Sequence, residues 1–113
     1  MKIEIKEKWV NALRSGEYQQ GKGGLLCEGK YCCLGVLSDL YAKEHNIEWK
    51  EEEYSKFKSL LDSDKILPIE IRKWAELEEE NPYVFNDYHQ TLAELNDNGL
   101  SFIGIADLIE KQL

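Results

Sequence analysis

The sequence predicts a single α+β domain in which a small β-hairpin packs with four to five helices. Apolar residues recur at helical spacing near both ends of the 113-residue chain, and two short apolar segments flank Glu28-Gly29-Lys30 between them. A chain of this length buries about two thirds of its unfolded surface, which is enough for one core but not for two. We therefore expect one domain over residues 1–113.

The first helix and the hairpin are predicted from apolar spacing and from glycines that end or turn the chain. The apolar face of the helix consists of Ile5, Trp9, Val10 and Leu13. Gly16 is expected to end this helix. Leu25-Leu26-Cys27 and Tyr31-Cys32-Cys33 then read as two strands, and Gly29 supplies the turn between them.

Two or three helices are predicted in the middle of the chain. Leucines repeat at helical spacing from Leu34 to Tyr41, and Asn46 is expected to end that helix. The apolar residues Tyr54, Phe57, Leu60 and Leu61 fit a short surface helix within residues 47–64. Pro68 suits the first turn of a further helix, which Glu78-Glu79-Glu80 before Asn81-Pro82 is expected to end.

The last third of the chain predicts a helical hairpin. Leu92 to Leu95 reads as a helix, residues 96–99 as a turn, and Ser101 as the N-cap of a final helix. This outline is that of a helix-turn-helix, but the second helix carries Asp107 and Glu110 against a single cation, Lys111. A helix that reads DNA is basic, so we expect a packed hairpin instead.

The charge of the chain argues against a nucleic-acid duplex as a partner. The formal net charge is −8, whereas duplex binders need Lys and Arg to displace counterions from phosphates. Residues 1–30 carry six cations and four acids, and residues 31–113 carry eight cations and eighteen acids. The basic minority therefore lies in the first 30 residues, and a small phosphate ligand is not excluded.

The distribution of apolar residues and cysteines predicts a cytoplasmic protein with reduced thiols. The amino terminus lacks the apolar run of a secretory signal, and no window approaches eighteen apolar residues. Three cysteines, two of them adjacent, do not suggest a secreted disulfide framework. No membrane partner is expected.

The segment from Arg14 to Gly24, which we call the glycine-rich segment, has the composition of a site that binds anions. It contains four glycines, two cations, two glutamines and Tyr18. Glycines let other groups approach the backbone amides, and Arg14 and Lys22 add positive charge to those donors. Tyr18 is expected to have few apolar neighbours in this polar segment, where its ring could stack on a nucleobase. A flexible connector remains the alternative.

Metal binding and thiol catalysis are weaker alternatives for the cysteines and histidines. The spacing of Cys27, Cys32 and Cys33, even with His45, lacks the Cys-x2-Cys knuckle of zinc sites, so neither a metal nor a cofactor is predicted. Cys33 and His89 could form a nucleophile and base with Asp97 as the orienting group. The cysteines are expected to pack as small apolar side chains.

Three blocks of sequence resemble a family of small proteins common in tailed bacteriophages and prophages. The blocks are residues 8–24, with Arg14-Ser-Gly-Glu-Tyr-Gln-Gln-Gly-Lys-Gly, residues 31–37, with Cys-Cys-Leu-Gly-Val-Leu, and residues 95–102, with Leu-Asn-Asp-Asn-Gly-Leu-Ser-Phe. Residues 47–80 add only weak elements at Leu67-Pro68 and Trp74. The chain is also similar to the anti-CBASS sponges, phage proteins that bind cyclic dinucleotide immune signals without cleaving them.

The resemblance implies a non-enzymatic immune-evasion protein in the host cytoplasm that sequesters a cyclic dinucleotide, for example a cyclic GMP-AMP. Arg14 and Lys22 would meet phosphates, and Tyr18 would stack on a base. The full set of implied ligand residues is Arg14, Tyr18, Gln19, Gln20, Gly21, Lys22, Gly23, Asn96 and Asp97. One small domain can hardly enclose so large a ligand, so a homo-oligomer, a dimer or tetramer, is implied.

Two other functions remain open at this point. The acidic surface could bind a basic host factor as a decoy. Alternatively, Cys33 and His89 could make the protein a small cysteine hydrolase. Asn96 and Asp97 could also be turn formers rather than ligand residues.

Overall fold

The computed structural model describes residues 1–85 and 89–113 and confirms the α+β fold. Within those residues the helices are α1 (Ile3–Ser15), α2 (Cys33–His45), α3 (Ile69–Ala75), α4 (Leu92–Asp97) and α5 (Phe102–Gln112). The strands are β1 (Gln19–Gln20), β2 (Leu26–Cys27), β3 (Lys30–Tyr31), β4 (Phe57–Lys58), β5 (Tyr83–Val84) and β6 (Gln90–Thr91). No helix in the described ranges is both long enough and apolar enough to cross a membrane.

The core lies where α1 packs against α5 and α2. Trp9 is fully buried there, and its indole Nε1 donates a hydrogen bond to the carbonyl oxygen of Cys33 at 2.9 Å. An indole N–H that is buried without an acceptor costs free energy, and the start of α2 supplies the acceptor. The predicted apolar face of α1 is confirmed, and Gly16 ends the helix with a φ of 80°.

The predicted hairpin is the centre of a four-stranded sheet. β2 pairs antiparallel with β3, and Gly29 has a φ of 79° in the turn between them. The strand order is β1-β3-β2-β4, with β1 parallel to β3. β1 lies inside the glycine-rich segment, where no strand was predicted.

Two glycines are required by close packing in this sheet. A Cβ on Gly24 would lie 2.4 Å from the ring of Phe57, and a Cβ on Gly35 would lie 1.9 Å from the carbonyl oxygen of Leu25. Gly24 thus lets the β4 aromatic ring pack on the glycine-rich segment, and Gly35 lets α2 lie against the backbone that leads into β2.

The prediction of a helix within residues 47–64 is wrong. Phe57 and Lys58 instead form β4 and pair with β2, and the pairing continues as a bridge between Lys50 and Ser59. Leu61 and Asp62 have left-handed φ values of 50° and 66° in the turn that follows. Hydrogen bonds to a strand thirty residues away override the local helical spacing.

The second half of the chain contains two hairpins, of which one was predicted. α3 follows Pro68 as expected but ends at Glu76, before the acidic triplet. β5 and β6 form an antiparallel pair that sequence analysis missed. The α4–α5 hairpin is confirmed, and Ser101 caps α5 by accepting from the N–H of Gly104.

Candidate functional site

A shallow groove of about 280 Å³ lies between the end of α1, β1 and the start of α5. Its walls include three of the predicted ligand residues, Arg14, Tyr18 and Gln20. Ser101, Phe102 and Ile103 form the opposite side. We call this depression the α1–α5 groove. The first backbone N–H groups of a helix lack intrahelical partners, so the start of α5 gives this side of the groove a partial positive charge.

The glycine-rich segment and the α4 residues Asn96 and Asp97 meet, although some 75 residues separate them in sequence. The amide nitrogen of Gly23 donates to Asp97 Oδ1 at 3.0 Å. The side-chain amide of Gln20 donates to Asn96 Oδ1 at 2.9 Å and to the carbonyl oxygen of Leu100 at 2.8 Å. The predicted residues from separate blocks therefore belong to one region of the fold.

Asn96 is a buried structural residue rather than a group open to a ligand. It is 0% exposed and belongs to α4, not to the predicted turn. Its Nδ2 donates to the carbonyl oxygen of Gly21 at 2.8 Å, and its Oδ1 also accepts from the N–H of Cys33 at 3.2 Å. Nδ2 also donates to Asp97 Oδ1 at 3.3 Å. A side-chain amide has two donors and two acceptor sites, so these four contacts leave no free capacity for a base edge.

Arg14 lies in the last turn of α1, where two carboxylates of α5 bind its guanidinium. The distances are 2.7 Å to Asp107 Oδ1 and 2.9 Å to Glu110 Oε2. The hydrogen bond to Glu110, and next the hydrogen bond to Asp107, raise the pKa of Arg14. The hydrogen bond from Arg14 in turn lowers the pKa of Glu110. A phosphate that reaches Arg14 must therefore compete with two carboxylates.

Tyr18 is part of an aromatic cluster, contrary to the expectation that it has few apolar neighbours. Its ring contacts Tyr31 edge to face, with centroids 5.0 Å apart. Its hydroxyl donates to Asp39 Oδ2 at 2.6 Å, and Trp49 donates to Asp39 Oδ1 at 3.0 Å. Desolvation and, next, the bond to Asp39 raise the pKa of Tyr18. The ring is thus held in one orientation at the edge of the groove.

A cation lies against the same cluster. The ammonium of Lys43 is 3.2 Å from Asp39 Oδ2 and 5.2 Å from the centre of the Tyr18 ring. Asp39 is buried, and these contacts compensate its charge. Sequence analysis missed Asp39, Lys43 and Trp49, since their roles depend on contacts across α2 and β1.

Three polar side chains beside the glycine-rich segment remain available. Gln19 and Lys22 are exposed, and neither side chain forms a hydrogen bond or ion pair within the described part of the chain. Lys30 is also exposed, and its Cβ would lie 2.8 Å from a Cβ on Gly21. Lys30 was not among the predicted site residues. The sequence signal that could have found it is its place next to Gly29 in the predicted turn of the hairpin.

The predicted thiol nucleophile is not assembled. Cys33 is fully buried, its Sγ donates to the carbonyl oxygen of Leu92, and burial raises its pKa well above the usual value. His89 is exposed and stacks on Phe85 at 5.1 Å, while Asp97 accepts from Gly23. A buried neutral thiol without a neighbouring base lacks the activation that a cysteine nucleophile needs.

Two of the remaining candidate ligands for a metal, His45 and Cys32, form other contacts. The ring of His45 stacks on Tyr41 with centroids 4.0 Å apart. Cys32 caps α2, where its Sγ accepts from the N–H of Gly35 at 3.4 Å. Among residues 1–85 and 89–113, no group of three or more His, Cys, Asp or Glu residues is arranged to hold a metal ion.

Comparison with known proteins gives a family and no named function. No curated protein and no solved structure matches the chain significantly. A family model described as a domain of unknown function, DUF8296, matches residues 1–113, which is the whole chain. The protein therefore belongs to the DUF8296 family.

Proposed function

We propose that the protein captures a cyclic dinucleotide at the α1–α5 groove and holds it without cleaving it. The observation that carries this proposal is the convergence of Arg14, Tyr18 and Gln20 with the start of α5 along one groove. Gln19 and Lys22 belong to the same glycine-rich segment, are exposed and have no side-chain partner among the described residues. A cyclic dinucleotide presents two phosphates and two base faces, and this set supplies cations, an aromatic ring and amide groups. In this role the protein acts as a sponge for a nucleotide signal.

The phosphates would bind the cationic side of the groove. The exposed Lys22 would supply an ammonium from the glycine-rich segment, and Arg14 would supply a guanidinium that Asp107 and Glu110 hold in place. The partial positive charge at the start of α5 favours the same anion. Charge-assisted bonds of this kind are the stronger class of hydrogen bond, so a few of them can anchor the ligand.

One base would lie against Tyr18. The hydrogen bond to Asp39 and the edge contact with Tyr31 fix the ring before a ligand arrives. A ring held in advance loses little conformational entropy on binding. Gln19, whose side chain has no partner among the described residues, would donate to and accept from a base edge.

A second copy of the chain would complete the site. Pockets that enclose a drug-sized ligand measure roughly 300 to 1,000 Å³, and the α1–α5 groove measures about 280 Å³. Two grooves that face each other across a twofold axis match the pseudo-symmetry of a cyclic dinucleotide. We therefore expect a dimer, or a tetramer built from dimers, as the binding form.

The test is a thermal-shift screen of the purified protein against cyclic di- and trinucleotides. At least one of them should raise the midpoint of unfolding, since a ligand that binds only the folded state stabilises it. Lys22→Ala should reduce the shift, whereas Lys65→Ala, a change of another exposed lysine, should not. The absence of a shift with every nucleotide would contradict the proposal.

The same samples separate capture from hydrolysis. The bound nucleotide should be recovered intact after heat denaturation of the complex, because the proposed role is capture and the thiol of Cys33 is buried. Recovery of a linear dinucleotide or of mononucleotides would instead show that the protein is an enzyme.

A further inference from the structure

Two joined depressions lie on the β5–β6 hairpin and on the segment between it and α3. One measures about 230 Å³ and is lined by Glu76, Glu78, Glu79 and Tyr83 among others. The other measures about 450 Å³ and shares Glu78, Glu79 and Tyr83 with the first, and it is also lined by Glu80. Neither shares a lining residue with the α1–α5 groove. The two depressions therefore form a separate surface.

The acidic side chains of this surface are uncompensated. Glu76, Glu78, Glu79 and Glu80 are exposed, and none of them forms an ion pair within residues 1–85 and 89–113. Among the described residues, Arg72 is the only Lys or Arg that lines either depression, and its guanidinium donates to the carbonyl oxygen of Glu78. The four carboxylates outnumber Arg72, so the side chains that line the two depressions have a net negative charge.

Tyr83 lines both depressions and belongs to a cluster of aromatic rings with Phe85 and His89. Tyr83 is 49% exposed and Phe85 is 77% exposed. His89 stacks on Phe85 with centroids 5.1 Å apart and lies 4.8 Å from the ring of Tyr83. The side-chain amide of Gln112 bonds to the backbone of Phe85 and holds this ring cluster against the end of α5.

We propose that this acidic aromatic face, formed by Glu76, Glu78–Glu80, Tyr83, Phe85 and His89, binds a Lys- and Arg-rich segment of a partner protein. Charge complementarity selects the partner, since four unpaired carboxylates attract cations and repel the phosphates of nucleic acid. The rings favour Lys and Arg in particular, because both cations bind the faces of aromatic rings and their methylene stems cover apolar surface. Exposed aromatic groups inside a polar rim are typical of protein-binding surfaces.

The experiment measures binding of a short fluorescent peptide rich in Lys and Arg by anisotropy, at low and at physiological salt. The wild-type protein should bind it, and added salt should weaken the complex. The triple change Glu78→Gln, Glu79→Gln and Glu80→Gln should weaken binding by at least about tenfold. Phe85→Ser should weaken it by about three- to tenfold, because cation–π contacts are lost.

Matched controls separate a specific face from general acidity. The triple change Glu48→Gln, Glu51→Gln and Glu53→Gln alters net charge by the same amount on another segment and should leave binding within about twofold. Tyr54→Ser removes an aromatic ring that is 98% exposed and should have no effect. All four variants replace exposed side chains, and circular dichroism melts verify that each one folds.

Three results would overturn the proposal. The first is no binding of the basic peptide at low salt. The second is an equal loss of binding in the control triple variant, which would indicate attraction by net charge alone. The third is that the small polycation spermine binds the wild-type protein as tightly as the peptide does and Phe85→Ser leaves both affinities unchanged. That result would assign the acidic residues to small cations.

Discussion

Asn96 joins three parts of the fold through one side chain. It accepts from the N–H of Cys33 at the start of α2, donates to the carbonyl oxygen of Gly21, and accepts from the side chain of Gln20. The N–H of Cys33 is buried, and the loss of its acceptor is more costly than the modest net gain from forming a hydrogen bond. Asn96 therefore fixes the glycine-rich segment on which the proposed site depends.

Asn96→Ala should lower the free energy of unfolding by about 2–4 kcal/mol, because the buried N–H of Cys33 and the part-buried carbonyl oxygen of Gly21 lose this partner. Asn98→Ala is the control, since Asn98 lies two residues after Asn96 and is exposed. Urea denaturation of both variants checks the prediction. A loss for Asn96→Ala no larger than that for Asn98→Ala would remove Asn96 from this role.

The three thiols should differ in reactivity. Burial raises the pKa of Cys32 to about 11 and that of Cys33 well above its usual range, and both side chains are buried, whereas Cys27 is half-buried. Iodoacetamide at mildly alkaline pH should therefore modify Cys27 first and spare the other two, because the thiolate is the reactive form. Mass spectrometry of the digested protein measures this order. Modification of Cys33 at the rate of Cys27 would show that the start of α2 opens readily.

At the residue scale, sequence reasoning identified a region but not the roles inside it. It grouped Tyr18, Asn96 and Asp97 with the glycine-rich segment, and the structure places them together. It could not distinguish a side chain that faces a ligand from one that binds another part of the chain. That difference depends on contacts such as Tyr18 to Asp39, which no local pattern contains.

α2 and the sheet approach so closely that only glycine fits at position 35. A Cβ there would lie 1.9 Å from the carbonyl oxygen of Leu25, which belongs to the rigid backbone. Gly35→Ala should therefore destabilise the protein by about 3 kcal/mol through overpacking. In Gly104→Ala, the new Cβ meets the flexible end of the Leu100 side chain, so the loss of stability should be smaller than in Gly35→Ala. Thermal melts that rank the two variants in the opposite order would contradict the packing assigned to α2.

The ion pairs of Arg14 join α1 to α5 and should respond to acid. The hydrogen bond from Arg14 lowers the pKa of Glu110 in the folded state below its unfolded value, near 4.5. The ionised Glu110 therefore stabilises the folded state above pH 4.5. This contribution is lost as the pH falls through the lowered pKa of the folded state. Glu110→Gln should therefore be slightly less stable than wild type at neutral pH, since exposed pairs contribute little. The difference should vanish in acid well below pH 4.5. Urea midpoints that differ equally at both pH values would contradict this linkage.

At the scale of elements, patterns within one segment were predictable and pairings between distant segments were not. The apolar faces of α1, α2 and α5 and the Gly29 turn depend on residues near one another, and all four were predicted. β1 and β4 depend on their pairing with β3 and β2, and β5 and β6 were too short to give a period. The prediction of a helix in the middle of the chain was wrong because the pairing of β4 with β2 cannot be read from local spacing. Phe57 fits a helical spacing as well as it fits a strand.

The molecule presents two surfaces of different chemistry. The α1–α5 groove is lined by Arg14, and the exposed Lys22 belongs to the same glycine-rich segment, whereas the acidic aromatic face carries four glutamates without an ion pair among the described residues. The uneven charge of the sequence predicted a basic minority in the first 30 residues, and Lys22 and Lys30 are part of it. An anion bound at the groove and a basic peptide bound at the acidic aromatic face would occupy separate sites. The two proposals can therefore be tested independently.

The most direct test of nucleotide capture is a calorimetric titration of wild-type protein with the nucleotide that gives the largest thermal shift. We expect one ligand per two chains, and light scattering should report a dimer or larger. Arg14→Ala should weaken binding about ten- to a hundredfold, as expected for the loss of a charge-assisted hydrogen bond. The double change Asp107→Asn and Glu110→Gln should strengthen binding, because it removes the carboxylates that compete for Arg14. A stable monomer that binds one ligand per chain, or equal affinities in wild type, Arg14→Ala and the double variant, would contradict the assignment of the site to the α1–α5 groove.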